Sequence, residues 1–201
     1  MKISREPFTL SFRLYSNSQT KATPMKQAKQ ELLVLSAQQG NTKAFNALVE
    51  HYHSALVKFA YRICANQQLA QDAVQEAWLK LSQQLRKLND PRAFKSWIYR
   101  AVRWRCIDLM RRQNNNEQEL TDYQQQFSDS MTETPSVSEG SLLPYINQLP
   151  DVEKQIIYLF YLNEISITEI AIILEIPIGT VKSRLNRARN QLRNIIPRDE
   201  L

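Results

Sequence analysis

The segment Ile165–Leu192, ISITEIAIILEIPIGTVKSRLNRARNQL, leaves the chain few options, because it reads as two short helices held apart by a tight turn. Ser166 and Glu169 form the S-x-x-E pattern in which a hydroxyl and a carboxylate each satisfy a backbone N–H at a helix start. Ile170, Ile173 and Leu174 give that helix its apolar stripe. Pro177 cannot continue the first helix, since it lacks an N–H, but its fixed φ suits the first turn of the next. In the second helix Val181, Leu185, Ala188 and Leu192 recur at helical spacing and are expected to face inward. Lys182, Arg184, Arg187, Arg189 and Arg193 are then left largely on the outer surface. A supporting helix, a turn and a basic helix with an apolar back make the helix-turn-helix pattern, whose second helix enters the major groove of duplex DNA. Helical hairpins with merely solvated basic surfaces are common. Here the capping box, the proline turn, the inward stripe and the acid-free stretch from Pro177 to Arg198 agree, and DNA binding is favoured.

The rest of the chain is also read as helical. Three glycines in 201 residues argue against phosphate-cradling loops and against a turn-rich β fold. Phe45, Leu48, Val49, Tyr52, Leu56, Phe59, Ala60 and Ile63 line one helix, and Ala70, Val74, Ala77, Trp78, Leu81, Leu85 and Leu88 a second. Asn89-Asp90-Pro91 is a break and a helix start, followed by a third helix with Phe94, Trp97, Ile98, Ala101, Val102, Ile107 and Leu109. The expected fold is all-α, with two helical domains at residues 25–112 and 142–196 and a short tail at 197–201. The second domain divides into helices near 142–148, 151–162, 166–174 and 178–195.

Charge is segregated along the chain. Between Gln113 and Leu143 there are six acids and no Lys or Arg, so residues 113–141 are expected to be a flexible acidic linker. Setting those six acids aside raises the net +6 of the whole chain to +12 on the remainder, which favours a polyanionic partner. Residues 1–24 are expected to be a disordered extension. Phe8, Leu10, Phe12 and Leu14 alternate like an isolated strand, Arg13 interrupts any signal-peptide core, and Met25 opens a helical pattern that would serve as a start. No apolar run approaches the ~18 residues that span a bilayer, so a cytoplasmic protein without membrane insertion is expected. Cys64 and Cys106 lie far apart in helical patterns and are expected to be buried, reduced thiols.

Two further stretches carry chemistry. Pro91–Arg112 holds seven basic residues and one acid, Asp108, interleaved with Trp97, Tyr99 and Trp104. Aromatics among arginines suit single-stranded or distorted nucleic acid, where bases stack on rings and phosphates meet guanidinium groups. Trp97 shares a stripe with Phe94 and Ala101 and is expected in the core; Trp104, between Arg103 and Arg105, is the better candidate for exposure. Asp72, Gln75 and Glu76 fall opposite Val74, Trp78 and Leu81, on either a solvated face or a protein-docking face. His51 and His53, two apart on a helix, point about 200° apart and cannot share a metal. No nucleophile or metal constellation points to an enzyme, and no cofactor is expected.

In this order the segments resemble the extracytoplasmic-function (ECF) sigma factors of bacterial RNA polymerase, over nearly everything from Met25 to Ile196. Asp72-Ala73-Val74-Gln75-Glu76-Ala77-Trp78-Leu79-Lys80-Leu81 is similar to that family's core-polymerase-binding helix, in a sigma region 2-like domain. Asp90-Pro91-Arg92-Ala93-Phe94-Lys95-Ser96-Trp97-Ile98-Tyr99-Arg100 resembles the segment that engages and melts the −10 element. Leu149-Pro150 opens the last, region 4-like domain as the family does, and Ile176-Pro177-Ile178-Gly179-Thr180-Val181-Lys182-Ser183-Arg184-Leu185 matches its recognition helix. The resemblance implies that Asp72, Gln75, Glu76 and Leu79 dock on the clamp helices of the polymerase's largest subunit. It implies that Arg100, Arg103, Trp104, Arg105, Asp108, Arg111 and Arg112 lie along the −10 element, and that Thr180, Lys182, Ser183, Arg184 and Arg187 meet the −35 element. The linker would thread toward the RNA exit channel, and an anti-sigma factor is a further implied partner. A stand-alone helix-turn-helix regulator is the alternative. Two positions depart from the family: Trp104 stands where Asn is usual, and Glu175 where the inter-helix turn usually has Gly. Without glycine's freedom at φ > 0, that turn is expected to be strained or differently shaped.

Overall fold

The computed structural model describes residues 24–121 and 142–196, and every regular element among them is helical. The expectations for residues 1–23, 122–141 and 197–201 lie outside the described residues. The first half has four long helices: α1 Pro24–Gln38, α2 Thr42–Cys64, α3 Gln67–Gln84 and α4 Phe94–Thr121. The second has α5 Leu143–Asn147, α6 Asp151–Ile157, α7 Ile167–Leu174 and α8 Ile178–Ile195.

Asparagine caps set the helix starts in the first half. Asn41 Oδ1 accepts from the Ala44 N–H at the head of α2, and Asn66 Oδ1 accepts from the Leu69 N–H at the head of α3. Between them α2 ends at Ala65, whose left-handed backbone (φ 50°) turns the chain back. Leu48, Tyr52, Leu56 and Phe59 of α2 and Ala70, Val74, Ala77 and Leu81 of α3 are buried at three- and four-residue intervals, as the periodicity predicts. The α-helix stops at Gln84, short of Leu85 and Leu88, which the pattern placed on the same helix. There the backbone tightens into a 3₁₀ turn, Leu85–Lys87, and the Gln38 amide donates to the carbonyls of both Leu85 and Leu88 at 3.0 and 2.7 Å. That side chain satisfies carbonyls that a continuing helix would have bonded.

Asp90 then accepts from the Arg92 N–H and Pro91 opens a second 3₁₀ turn leading into α4. Helix α4 runs to Thr121, into the stretch whose composition reads as linker. Nothing between Phe94 and Thr121 is a proline or glycine, so no residue breaks the hydrogen-bond ladder.

In the second half, α6 widens after Ile157 into a π turn, Tyr158–Leu162. The capping box forms at α7, with Ser166 Oγ accepting from the Glu169 N–H and Glu169 Oε2 accepting from the Ser166 N–H at 3.0 Å. Helix α8 packs on α6 and α7 through buried Val181, Leu185, Ala188 and Leu192. The four helices of the first half pack on one another, and α4 also packs against α7, so one core of buried side chains runs through both halves.

Candidate nucleic-acid interface

The α8 face opposite its buried stripe is open. Lys182, Ser183 and Arg187 are exposed and Thr180 and Arg184 half-buried. Ser183 Oγ donates back to the Thr180 carbonyl at 3.0 Å, which holds that hydroxyl against its own helix. Arg187 stands 3.9 Å from the buried carboxylate of Glu153, and its side chain is 70% exposed. Two of the five basic groups expected on the outside sit differently. Arg184 and Arg189 are both half-buried, and Arg189 is held by neighbouring rings: its Nε donates to the Tyr161 hydroxyl at 2.7 Å and its guanidinium lies over the rings of Phe160 and Tyr161. A charge plot of the helix treats all arginines alike. The π turn that aims Phe160 and Tyr161 at α8 has no signature in it.

The turn before α8 answers the glycine departure directly. Glu175 adopts the left-handed conformation, φ 57° and ψ 42°, and its N–H closes α7 on the Ala171 carbonyl. The side chain of that strained residue is used: Glu175 Oε1 meets Arg100 of α4 at 2.6 Å.

Helix α4 divides its basic residues between two surroundings. Toward the second half, Lys95 Nζ donates to the carbonyls of Asn163 and Glu164 at 3.0 and 3.1 Å, where the π turn ends. Burial lowers the Lys95 pKa, while Glu169 and Glu164 act against that shift. Asn163 donates to the Tyr99 hydroxyl at 3.0 Å, and burial still pushes that phenol up to about 12. Arg103 Nε donates to Gln155 at 3.2 Å, with its pKa lowered by desolvation. Arg62 of α2 lies over the Tyr158 ring at 4.8 Å.

On its other side α4 faces α3 across a groove of about 460 Å³, lined by Lys80, Trp97, Arg100, Trp104, Arg105 and Arg111 among others. Trp104 is 44% exposed there; Trp97, expected in the core, is half-buried at the groove wall. Two lining residues, Arg105 and Asp108, belong to a chain of ion pairs. Arg105 reaches Glu76 of α3 at 2.6 Å and Asp108 at 2.9 Å, and Arg112 meets Asp108 at 3.0 Å. Glu76 and Arg105, read from the sequence as members of different surfaces, are thus one ion pair. Lys80 was missed as a groove residue; it precedes Leu81 on α3 and carries no local signal beyond its charge.

The remaining α3 face combines acid, amide and apolar groups. Gln75 is exposed, Asp72 accepts from Gln68 at 3.0 Å, and Leu79 is 59% exposed beside them. His51 and His53 do not converge, and His51 hydrogen-bonds Gln30 at 2.8 Å. Among the described residues no group of three His, Cys, Asp or Glu could hold a metal ion, and no helix is long and apolar enough to cross a membrane.

Comparison with known proteins accounts for both halves. Residues 48–116 match the family described as Sigma-70 region 2, and residues 140–192 match Sigma-70, region 4. The ECF RNA polymerase sigma factor SigW of Bacillus subtilis is 31% identical over 173 residues, spanning 80% of this chain and 92% of that protein. An ECF RNA polymerase sigma-E factor of Haemophilus influenzae is 30% identical over 183 residues, spanning 85% and 96%. Two solved structures share the fold, each with a TM-score of 0.61. CnrH, in complex with the cytosolic domain of CnrY, is 22% identical and spans 83% of this chain and 96% of its own. The sigma factor RpoE of Bartonella quintana, in complex with the anti-sigma factor NepR, is 23% identical and spans 76% and 96%.

Proposed function

The chain belongs to the ECF sigma factors of RNA polymerase, and from that membership we propose a division of labour among its exposed groups. As such a factor it directs core polymerase to specific promoters and acts in transcription initiation. The catalysis of RNA synthesis is left to polymerase, and the place of work is the cytoplasm, where genome and polymerase meet.

The observation that carries the assignment is that one chain holds two different kinds of basic surface. Helix α8 presents Lys182, Ser183 and Arg187 with half-buried Arg184 on a smooth helical ridge, which suits the major groove of intact duplex. The α3–α4 groove combines an exposed tryptophan with Lys80, Arg105 and Arg111, which suits unpaired bases and their phosphates. We therefore assign Thr180, Lys182, Ser183, Arg184 and Arg187 to the −35 element. Arg100, Arg103, Trp104, Arg105, Asp108, Arg111 and Arg112 are assigned to the −10 element, with Arg105 and Asp108 holding the groove's shape through Glu76. The domains run over 25–112 and 142–196. Asp72, Gln75, Glu76 and Leu79 form the polymerase-docking face, because an exposed leucine with polar groups around it has the apolar centre and polar rim of a protein contact. An anti-sigma factor is a further partner, as CnrH and RpoE are each seen in a complex.

The test is reconstitution with core polymerase and recovery of the genomic fragments that the holoenzyme binds and melts. The expected result is a shared two-part promoter, with melting that depends on core polymerase. Recognition of one uninterrupted site by the free chain, with no stimulation of transcription, would favour a stand-alone regulator.

A further inference from the structure

Neither cysteine takes part in the function proposed above. Cys64 is the last residue of α2 and is half-buried, beside the left-handed turn at Ala65. Cys106 sits within α4 and is fully buried. Far apart in sequence, they meet where α4 packs on α2. Cys64 Sγ donates to the Ala60 carbonyl at 3.1 Å, and Cys106 Sγ lies 4.0 Å from that same oxygen. One backbone oxygen is thus shared by both sulfurs, which brings the thiols together across the α2–α4 contact.

The pair is electrostatically polarised. The neighbouring Cys106 thiol lowers the Cys64 pKa, while Cys64 and burial push the Cys106 thiol up. A buried cysteine in apolar surroundings holds its proton and is inert. Here the accessible sulfur carries the thiolate character and the buried one lies against it, which is the arrangement of an attacking and a resolving thiol.

We propose that Cys64 and Cys106 are an oxidation-responsive dithiol that closes into an intramolecular disulfide between α2 and α4. A hydroperoxide is the oxidant. The Cys64 thiolate attacks one peroxide oxygen, forming an S–O bond as the O–O bond breaks and hydroxide or alkoxide departs with the electron pair. Cys106 then attacks the resulting sulfenic sulfur. The S–S bond forms, the S–O bond breaks, and the Cys106 proton leaves with the hydroxide as water. Two thiols are oxidised by two electrons and one hydroperoxide is reduced, to two waters when it is hydrogen peroxide. The closed loop contains all of α3, so the cross-link ties the two helices that flank it.

The test uses the full chain, reduced, freed of thiol reagent and titrated with hydrogen peroxide. It is then unfolded in N-ethylmaleimide and weighed intact. The proposal expects a species two hydrogens lighter than the reduced chain, carrying no maleimide, that dithiothreitol returns to a form carrying two. Proteolysis should yield a Cys64–Cys106 cross-linked peptide. Cys106→Ser should instead stop at a sulfenic acid on Cys64 that dimedone traps, and Cys106→Ala serves if the serine variant misfolds. Native alkylation of Cys64 should begin at lower pH in the wild type than in Cys106→Ala, which removes the neighbouring thiol. Wild-type Cys64 proceeding to sulfinic acid while Cys106 still takes maleimide would overturn the proposal. So would oxidation that produced only disulfides between chains.

Discussion

Replacing Glu175 with glycine sets two terms of opposite sign against each other at the turn between α7 and α8. The left-handed backbone at φ 57° costs a residue bearing a Cβ roughly 1–2 kcal/mol. Glycine removes that cost but returns about 0.5–1 kcal/mol through its greater freedom in the unfolded chain, leaving a net gain near 0.5–1. Against it stands the ion pair to Arg100, 2.6 Å long, with side chains 45% and 37% exposed. At that exposure solvent screening limits the pair to about 0.2–1 kcal/mol. Glu175→Gly is therefore expected within about 1 kcal/mol of the wild type at low salt. In high salt the wild type loses its pair and the variant becomes the more stable chain. Glu175→Ala keeps the strain and loses the pair, so it should be less stable than the glycine variant at every salt concentration. Urea unfolding followed by circular dichroism, at low and high salt, measures all three. A glycine variant less stable than the alanine variant would refute the argument, because the backbone term would then have the wrong sign.

Burial holds the Tyr99 hydroxyl up at about 12, against 10.0 for a free tyrosine, so the unfolded chain ionises first as pH rises. Stability should accordingly fall as pH climbs through that window, and less steeply in Tyr99→Phe, which alkaline urea titrations would resolve. Arg184→Ala should weaken binding of the upstream element by about 1–3 kcal/mol and relax its sequence preference if the guanidinium reads a base. A competition assay showing unchanged affinity and preference would remove it from the recognition set. Glu76→Gln should reduce assembly with core polymerase and loosen Arg105 while the chain stays helical; undiminished competition against other sigma factors would exclude the docking role.

What could be read from the sequence was what the chain encodes locally. The capping box at Ser166 and Glu169, the stop at Pro177 and the α8 stripe each depend on residues within one or two turns of one another, and all are found as expected. The extent of α4 was not legible, because Gln, Asn and Glu suit a solvated helix and a polar linker alike, and composition does not separate them. Nor were the contacts that join distant segments. Arg105 with Glu76, Arg100 with Glu175, Arg189 with Tyr161 and Cys106 with the Ala60 carbonyl each pair residues whose spacing carries no period. Glu175 shows the limit most plainly. The missing glycine was visible in sequence, but its outcome, a strained backbone whose side chain is held by another helix, depended on the packing of α4 against α7.

The contacts that Arg100 and Arg103 make with Glu175 and Gln155 give each guanidinium two claimants. On the proposed assignment the same groups serve the −10 element, and a phosphate brought to Arg100 meets the like charge of the Glu175 carboxylate already on it. The second half of the chain is then a competitor of the promoter, covalently supplied and always at hand. Its effect is a tax on affinity: a closed form favoured tenfold over the open one weakens apparent DNA binding about tenfold, with no change in any DNA contact. Whatever draws the halves apart lifts that tax, so a partner that never touches DNA can raise promoter occupancy by occupying the surface between them.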